Sequence, residues 1–458
     1  MNDQRPRMAA TGLGGVRVAR FTLALLVPGA LFSPFAHGAD LLQMYKAAHD
    51  HDAKFQGSTY QRDAAEQALP QAKAGYRPTV SLSWQHTDET QNIISSDNSL
   101  FQQGTTSFPI DEYTLSLSQP IFNYPAWVRI RQARSEVKRA DAEFATAEQD
   151  LIMRVSEAYL GVLAAQDNVT FAEAEKNAVG RQLELVRAKL GGGLARITDL
   201  HDAEARYASV EAREIEAKNL LDDSQQALKQ VTGTLPDHLA GLKGDLRLIG
   251  PDPVDVKRWV SAALEQNPAV AMKMFDADVA REEVTRQKAG HYPTLDLQAR
   301  LNHRKTQGTL FGGGSEVETT DYLVTFNLPL YQGGFVSSRT KQAAYQHQKV
   351  LQDLDDERRT VMREARAAYF GVISSISKVK ALHQSVVSQN LALEAKRDGY
   401  RSGLYTALAV LDAQRDLYMA KRDYAKARYD YLLNTLRLKH AAGTLGEADV
   451  VYVNHWLK

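Results

Sequence analysis

Hydrophobic residues recur with a period of two in four places along the chain. Val80, Leu82 and Trp84 interleave with Ser81, Ser83 and Gln85, and Tyr113, Leu115 and Leu117 with Thr114, Ser116 and Ser118. Leu295, Leu297, Ala299 and Leu301 interleave with Asp296, Gln298, Arg300 and Asn302, and Tyr322, Val324, Phe326 and Leu328 with Leu323, Thr325 and Asn327. A period of two is that of a β-strand, so strands are expected at about 78–87, 112–121, 294–302 and 321–330. Elsewhere the period is helical. Leu151, Val155, Ala158, Val162, Ala165, Val169 and Ala172 follow 4-3-4-3-4-3 spacing, and Val361, Ala365, Ala368, Val372, Ser375, Val379 and Leu382 repeat it 210 residues later. Sustained heptads with small seam residues predict long, closely packed helices. No proline falls between Pro125 and Pro236 or after Pro329, as uninterrupted helices require when each internal proline costs ~3 kcal/mol. Ala126 to Leu190 alone would span about 97 Å at 1.5 Å per residue.

The pattern occurs twice in the same order. Gly75-Tyr76-Arg77-Pro78-Thr79 parallels Gly290-His291-Tyr292-Pro293-Thr294, and Ala158-Tyr159-Leu160-Gly161-Val162 parallels Ala368-Tyr369-Phe370-Gly371-Val372. Gly193-Leu194 with Asp202-Ala203 parallels Gly403-Leu404 with Asp412-Ala413, and Gly233-Thr234-Leu235 parallels Gly443-Thr444-Leu445. The expected layout is a first repeat over 39–250 and a second over 251–458. Each holds a moderate helix, two strands joined by a polar loop, then two long helices joined by a glycine turn, at 190–194 and 401–404.

Composition narrows the setting. Residues 1–38 read as a signal peptide: Arg5, Arg7, Arg17 and Arg20 precede the apolar run Phe21–Leu31, followed by Ala36-His37-Gly38, small residues that suit signal peptidase. No other stretch is apolar enough for a membrane helix. A secreted chain that enters a membrane would therefore do so as a closed barrel, with every backbone group paired. The 55 basic and 55 acidic residues balance, leaving no footprint for nucleic acid. The absence of cysteine excludes disulfides, zinc-thiolate sites and a lipid anchor on an N-terminal cysteine.

Candidate chemistry is sparse. His49 and His51, beside Asp50 and Asp52, lack a helical metal spacing, and Gly312-Gly313-Gly314 lacks the Lys-Ser/Thr of a phosphate loop. Neither an enzyme nor a cofactor is expected.

A half-buried soluble sheet would show the same alternation. Four strands of nearly ten residues in a secreted chain suit a membrane barrel better, and such barrels need at least about eight strands. Four per chain then require several copies, and two or three would each serve. A secreted coiled-coil fibre or adhesin is the alternative reading; it accounts for the heptads but not for the strands.

Together, Gly75-Tyr76-Arg77-Pro78-Thr79, Gly290-His291-Tyr292-Pro293-Thr294-Leu295-Asp296-Leu297, Leu328-Pro329-Leu330-Tyr331-Gln332-Gly333-Gly334, Asp412-Ala413 and Ala442-Gly443-Thr444-Leu445 resemble the TolC family of outer-membrane efflux and secretion channels. The resemblance runs across the chain after its signal segment. It implies a mainly α fold with a membrane β-barrel: a homotrimer whose twelve-stranded barrel stands in outer-membrane lipid on an α-helical periplasmic tunnel. It also implies a periplasmic adaptor and an inner-membrane ABC, RND or MFS pump as partners.

The glycine turns would then form the tunnel mouth, with Gly191, Gly192, Gly193, Leu194, Ser402, Gly403 and Leu404 as the tips that an adaptor grips. The resemblance matches Tyr400, Thr198 and Asp199 to residues that hold the closed mouth. Tyr405 stands where an arginine is expected. Asp412 matches one of two acidic rings of the constriction, and Ala409 replaces the other.

Overall fold

The computed structural model describes residues 38–95, 104–244, 246–308 and 313–457. Residues 1–37, which carry nearly all of the expected signal peptide, lie outside them, as does Gly312. The unit from Gly38 onward runs through one pattern of elements twice: short helices, a β-hairpin and two long helices.

The first pass contains α1 (Leu41–His51), α2 (Ala53–Glu66), α3 (Ala68–Ala74), β1 (Thr79–Ile93), β2 (Gly104–Asn123), α4 (Tyr124–Gly191) and α5 (Ile197–Thr232). The second contains α6 (Val256–Gln266), α7 (Pro268–Lys288), β3 (Thr294–Thr306), β4 (Ser315–Asn327), α8 (Phe335–Arg401), α9 (Ala407–Ala441) and a final α10 (Glu447–Asn454).

The single moderate helix expected in each repeat is broken in both. Asp52 caps α2 by accepting from Phe55 N at 2.6 Å, and Asn267 caps α7 by accepting from Ala269 N at 2.9 Å, ahead of Pro268. A side chain that satisfies the free amides of a new first turn starts a helix where the apolar period alone would run on. Gly233 and Gly443, both with positive φ (74° and 73°), end α5 and α9 against these breaks. A methyl group on Gly443 would lie 2.4 Å from Asn267 Cα, and one on Gly233 would lie 2.9 Å from the His51 ring.

The strands form one antiparallel sheet in the order β1-β2-β3-β4. They overrun the expected boundaries at the loop end: β1 continues to Ile93, β2 begins at Gly104, β3 reaches Thr306 and β4 starts at Ser315. Hydrogen bonding persists there after apolar alternation stops, supported by polar cross-strand pairs such as Thr90 Oγ1 to Ser107 Oγ at 2.8 Å. At the other end β4 stops at Asn327, short of the expected 330, because Pro329 has no amide to give. The register of β2 on β3 shifts between Pro120 and Phe122 for the same reason.

Register sorts the sheet into two faces. Val80, Leu117, Ala299 and Tyr322 form one cross-strand row and Leu82, Leu115 and Leu301 continue it, whereas the intervening row is Ser81, Ser116, Arg300 and Asp321. One face is thus apolar and the other polar, and most residues of β1 and all of β4 are exposed in the single chain. The backbone edges of β1 and β4 have no strand beside them among the described residues. Aromatic pairs flank the apolar face: Trp84 stacks on Tyr113 at the loop end, and Tyr76 meets Trp127 at the helix end. Among the described residues no helix is long and apolar enough to cross a membrane.

Asn123 caps α4 by accepting from Ala126 N at 3.1 Å, and Pro125 suits its first turn. Its 68 residues give a helix of about 100 Å. Of the seam residues, Leu151, Val155, Val162, Ala165 and Ala172 are buried, as are Val361, Ala365, Val372, Ser375 and Val379 of α8. The main core lies midway along the long helices, where Tyr159, Leu160, Leu432 and Leu436 pack with Leu41 and Phe55. There the hydroxyl of fully buried Tyr159 lies 2.8 Å from Ala240 O and 3.1 Å from Ala39 O, tying the start of the described chain to the link between repeats.

Candidate functional site

Both glycine turns sit at the end of the long helices remote from the sheet. At the first, Gly193 (φ 74°) lets Leu194 N return to Lys189 O at 2.8 Å and Gly193 N to Leu190 O at 2.9 Å. At the second, Gly403 (φ 84°) does the same: Leu404 N bonds Gly399 O at 2.7 Å and Gly403 N bonds Tyr400 O at 3.3 Å. Positive φ with these reverse bonds closes the carbonyl end of each helix. Ser402 Oγ adds a bond to Asp398 O at 3.1 Å. Gly191, Gly192 and Gly193 are exposed, and Leu194 and Leu404 are about four-fifths exposed.

The next helices start with different caps. Thr406 Oγ1 accepts from Ala409 N at 3.3 Å to begin α9, while Asp199 reaches back to Arg196 N at 3.2 Å to begin α5. Asp199 is therefore a first-turn carboxylate, as the helix dipole favours.

The two turns are brought together. Val179, Leu183 and Val186 of α4, Ala203 and Val210 of α5, and Ala407 and Leu411 of α9 share one buried cluster, with Tyr400 packed against it. Lys189 Nζ stands 3.9 Å above the Tyr400 ring, a cation–π contact that joins the first turn to the second. Burial, reinforced by the nearby Asp199 charge, pushes the Tyr400 phenol above its ordinary value. Among the described residues Tyr400 makes no side-chain hydrogen bond to Thr198 or Asp199, and Thr198 is exposed.

Tyr405 is half exposed and lies over Gly399, where a methyl group would come within 2.3 Å of its ring. Glycine at 399 is what admits an aromatic ring there. Ala409 is partly buried on the first turns of α9. Asp412 is paired: Arg206 Nη2 approaches its Oδ1 at 2.9 Å from α5, and Arg415 at 3.3 Å from its own helix.

Farther from the tips, Glu175 is 1% exposed and accepts from Arg213 of α5 at 3.2 Å and Arg422 of α9 at 2.8 Å. This triad, Arg206 and Lys189 escape a sequence reading because their partners are distant in the chain. One signal was readable. Glu175 falls three residues after Ala172 and four before Val179, which puts a charge in an apolar seam.

A family model described as outer membrane efflux protein matches residues 44–234 and 259–444. This chain belongs to the outer-membrane efflux protein family. Outer membrane protein TolC of Vibrio cholerae is 34% identical over 440 residues, covering 95% of this chain and 98% of its own. The alkaline protease secretion protein AprF of Pseudomonas aeruginosa is 32% identical over 427 residues, covering 91% and 87%. The solved Campylobacter jejuni CmeC outer membrane channel shares the fold, with a TM-score of 0.77 at 16% identity over 90% of this chain and 89% of that one.

The family is one of channels rather than enzymes. Membership makes this chain an outer-membrane protein of a Gram-negative cell and an exit channel of the efflux and secretion type. The amphipathic sheet and the long helices below it are the parts such a channel needs.

Proposed function

We propose that three copies of this chain close into one tube, a twelve-stranded barrel continued by a helical tunnel, that serves as a passive exit duct and opens at its helical tips. The observation that carries this reading is that both layers of the chain end in unsatisfied edges. Among the described residues β1 and β4 each have an outer edge with no strand beside it, while below the sheet α5 and α8 are the outer members of the helical layer. α8 exposes Phe370, Ile373, Val387 and Leu391 at heptad spacing, and α5 exposes Ile215 and Leu220. A further copy set beside the first covers a strand edge and a helix face together, and closure removes every edge. A ring of four strands is too small for a membrane barrel.

The duct does no chemistry, so its energy comes from an inner-membrane pump, joined to it by a periplasmic adaptor. The exposed tips at Leu194 and Leu404 are where the adaptor engages, and Tyr400 holds the closed arrangement by seating its ring among both hairpins. Similarity to AprF, a protein named for alkaline protease secretion, favours a protein cargo handed over by an ABC-type pump. Export of small toxic compounds by an RND or MFS pump is the second reading, favoured by the efflux description of the family.

Tyr400→Ala tests the tip as the gate. Removing the ring, which packs against the buried cluster and under Lys189, should loosen the closed mouth and raise single-channel conductance in planar bilayers. Unchanged conductance would exclude Tyr400 as a latch. Deleting the gene and assaying protein export beside drug sensitivity separates the two cargoes.

A further inference from the structure

Within one chain the hairpins α4–α5 and α8–α9 meet along a seam beside α9. Arg437–Glu157 and His440–Asp150 cross it farther from the tips, and two ionic contacts cross its tip-side half. The upper one is the Glu175 triad, about 24 Å along the helices from the tips. The lower one is Arg206–Asp412, about 10 Å from the starts of α5 and α9.

Their surroundings differ. Glu175 is almost wholly buried, and its two guanidinium partners come from helices of different hairpins. Parting the hairpins would take Arg422 away and leave the buried carboxylate with Arg213 alone, so the upper contact resists parting. In the lower pair the Asp412 side chain is 36% exposed and that of Arg206 19%. Both ends can regain water if the helices separate, and such a pair makes and breaks at small net cost. The lower seam is also polar. Gln182 of α4 and Gln414 of α9 are buried, and among the described residues Nε2 of the first and Oε1 of the second have no hydrogen-bond partner.

We infer that Arg206 is the positioning residue of the gate: its ion pair with Asp412 holds the second hairpin against the first in the closed mouth, and opening breaks it. The inference rests on the proposal that the tips are the gate. The cation of this tie comes from α5 and its anion from α9, so it joins the two hairpins directly. The pairing also changes the part played by Asp412. Two guanidinium groups, Arg206 and Arg415, already compensate its carboxylate, so its main work is closure rather than attraction of cations to the pore.

Single-channel recording in planar bilayers tests this with wild type, Arg206→Gln, Asp412→Asn, the double variant and Arg206→Lys, each checked for an intact heat-resistant oligomer. Arg206→Gln and Asp412→Asn should each raise conductance several-fold. The double variant should add nothing to the larger single effect, and Arg206→Lys should stay near wild type. Wild-type conductance in Arg206→Gln, with Asp412→Asn altering only the reversal potential, would overturn the inference and restore Asp412 as a bare acidic ring. No channel from the wild-type oligomer would instead remove the duct reading itself.

Discussion

α4 and α8 occupy equivalent places in the two repeats and are nearly the same length, 68 and 67 residues, yet α8 buries half as many residues as α4. α4 runs between α5, α7 and α9 and supports α1, α2 and α3. α8 has α9 on one side, with α7 and α6 above, and its remaining face carries Phe370, Ile373, Val387 and Leu391 into solvent. The duplication gave both helices the same seam, but only one received a full set of neighbours from its own chain. The difference locates stability in α4, and in the proposed assembly it leaves α8 to meet the next copy.

Three substitutions test that division. The largest loss is expected on α4. Glu175→Gln leaves Arg213 and Arg422 facing a neutral amide in a buried site, and should lower the stability of the detergent-solubilised protein by about 3–5 kcal/mol. Thermal unfolding measures it, and a loss below ~1 kcal/mol would mean that the triad is hydrated and contributes little.

An intermediate effect is expected from Glu283, on α7 between the two helices. Burial raises the Glu283 carboxyl, but hydrogen bonds from Arg286, Gln287 and Gln132 more than reverse this and hold it down at about 2. Gln132 comes from α4 and donates to Glu283 at 2.9 Å. Because the folded value lies below the unfolded one, the stabilisation is complete above the ordinary glutamate value of 4.5 and is lost as pH falls towards 2. Glu283→Gln should cost about 1–2 kcal/mol at neutral pH, allowing for solvent screening. Its stability should also fall less steeply than that of wild type between pH 4.5 and 2. Parallel acid titrations of the two proteins would refute this.

The smallest effect on the subunit is expected on α8. Phe370→Ala should change the unfolding of a single chain by ~0.5 kcal/mol or less, in line with an exposed site, yet lower the temperature at which the oligomer dissociates. Equal losses in both measurements would place Phe370 in the subunit core.

The same contrast explains what the sequence could and could not reveal. Alternation at Val80-Leu82-Trp84 and the heptads at Leu151 and Val361 report burial against any apolar neighbour, so they mark the strands and long helices without saying which chain supplies the neighbour. The strand ends beyond Thr87 and before Glu112 were hidden because much of their pairing is polar, as at Thr90 and Ser107. The breaks at Asp52 and Asn267 depend on single capping contacts that the apolar period does not register. At the tips, the turns were legible from Gly193 and Gly403, since positive φ is a local demand. Arg206 with Asp412, Lys189 with Tyr400, and Tyr405 over Gly399 were not, because each depends on how the hairpins or turn residues pack in three dimensions.

Closure of one continuous tube by several copies of this chain is the central proposal. Single-channel recording of the wild-type protein, taken from outer membranes as a heat-resistant oligomer, tests that most directly. It should insert as one unit and give small, long-lived conductance steps, the signature of a complete pore with a nearly closed mouth. An intact oligomer that leaves the bilayer electrically silent would contradict it.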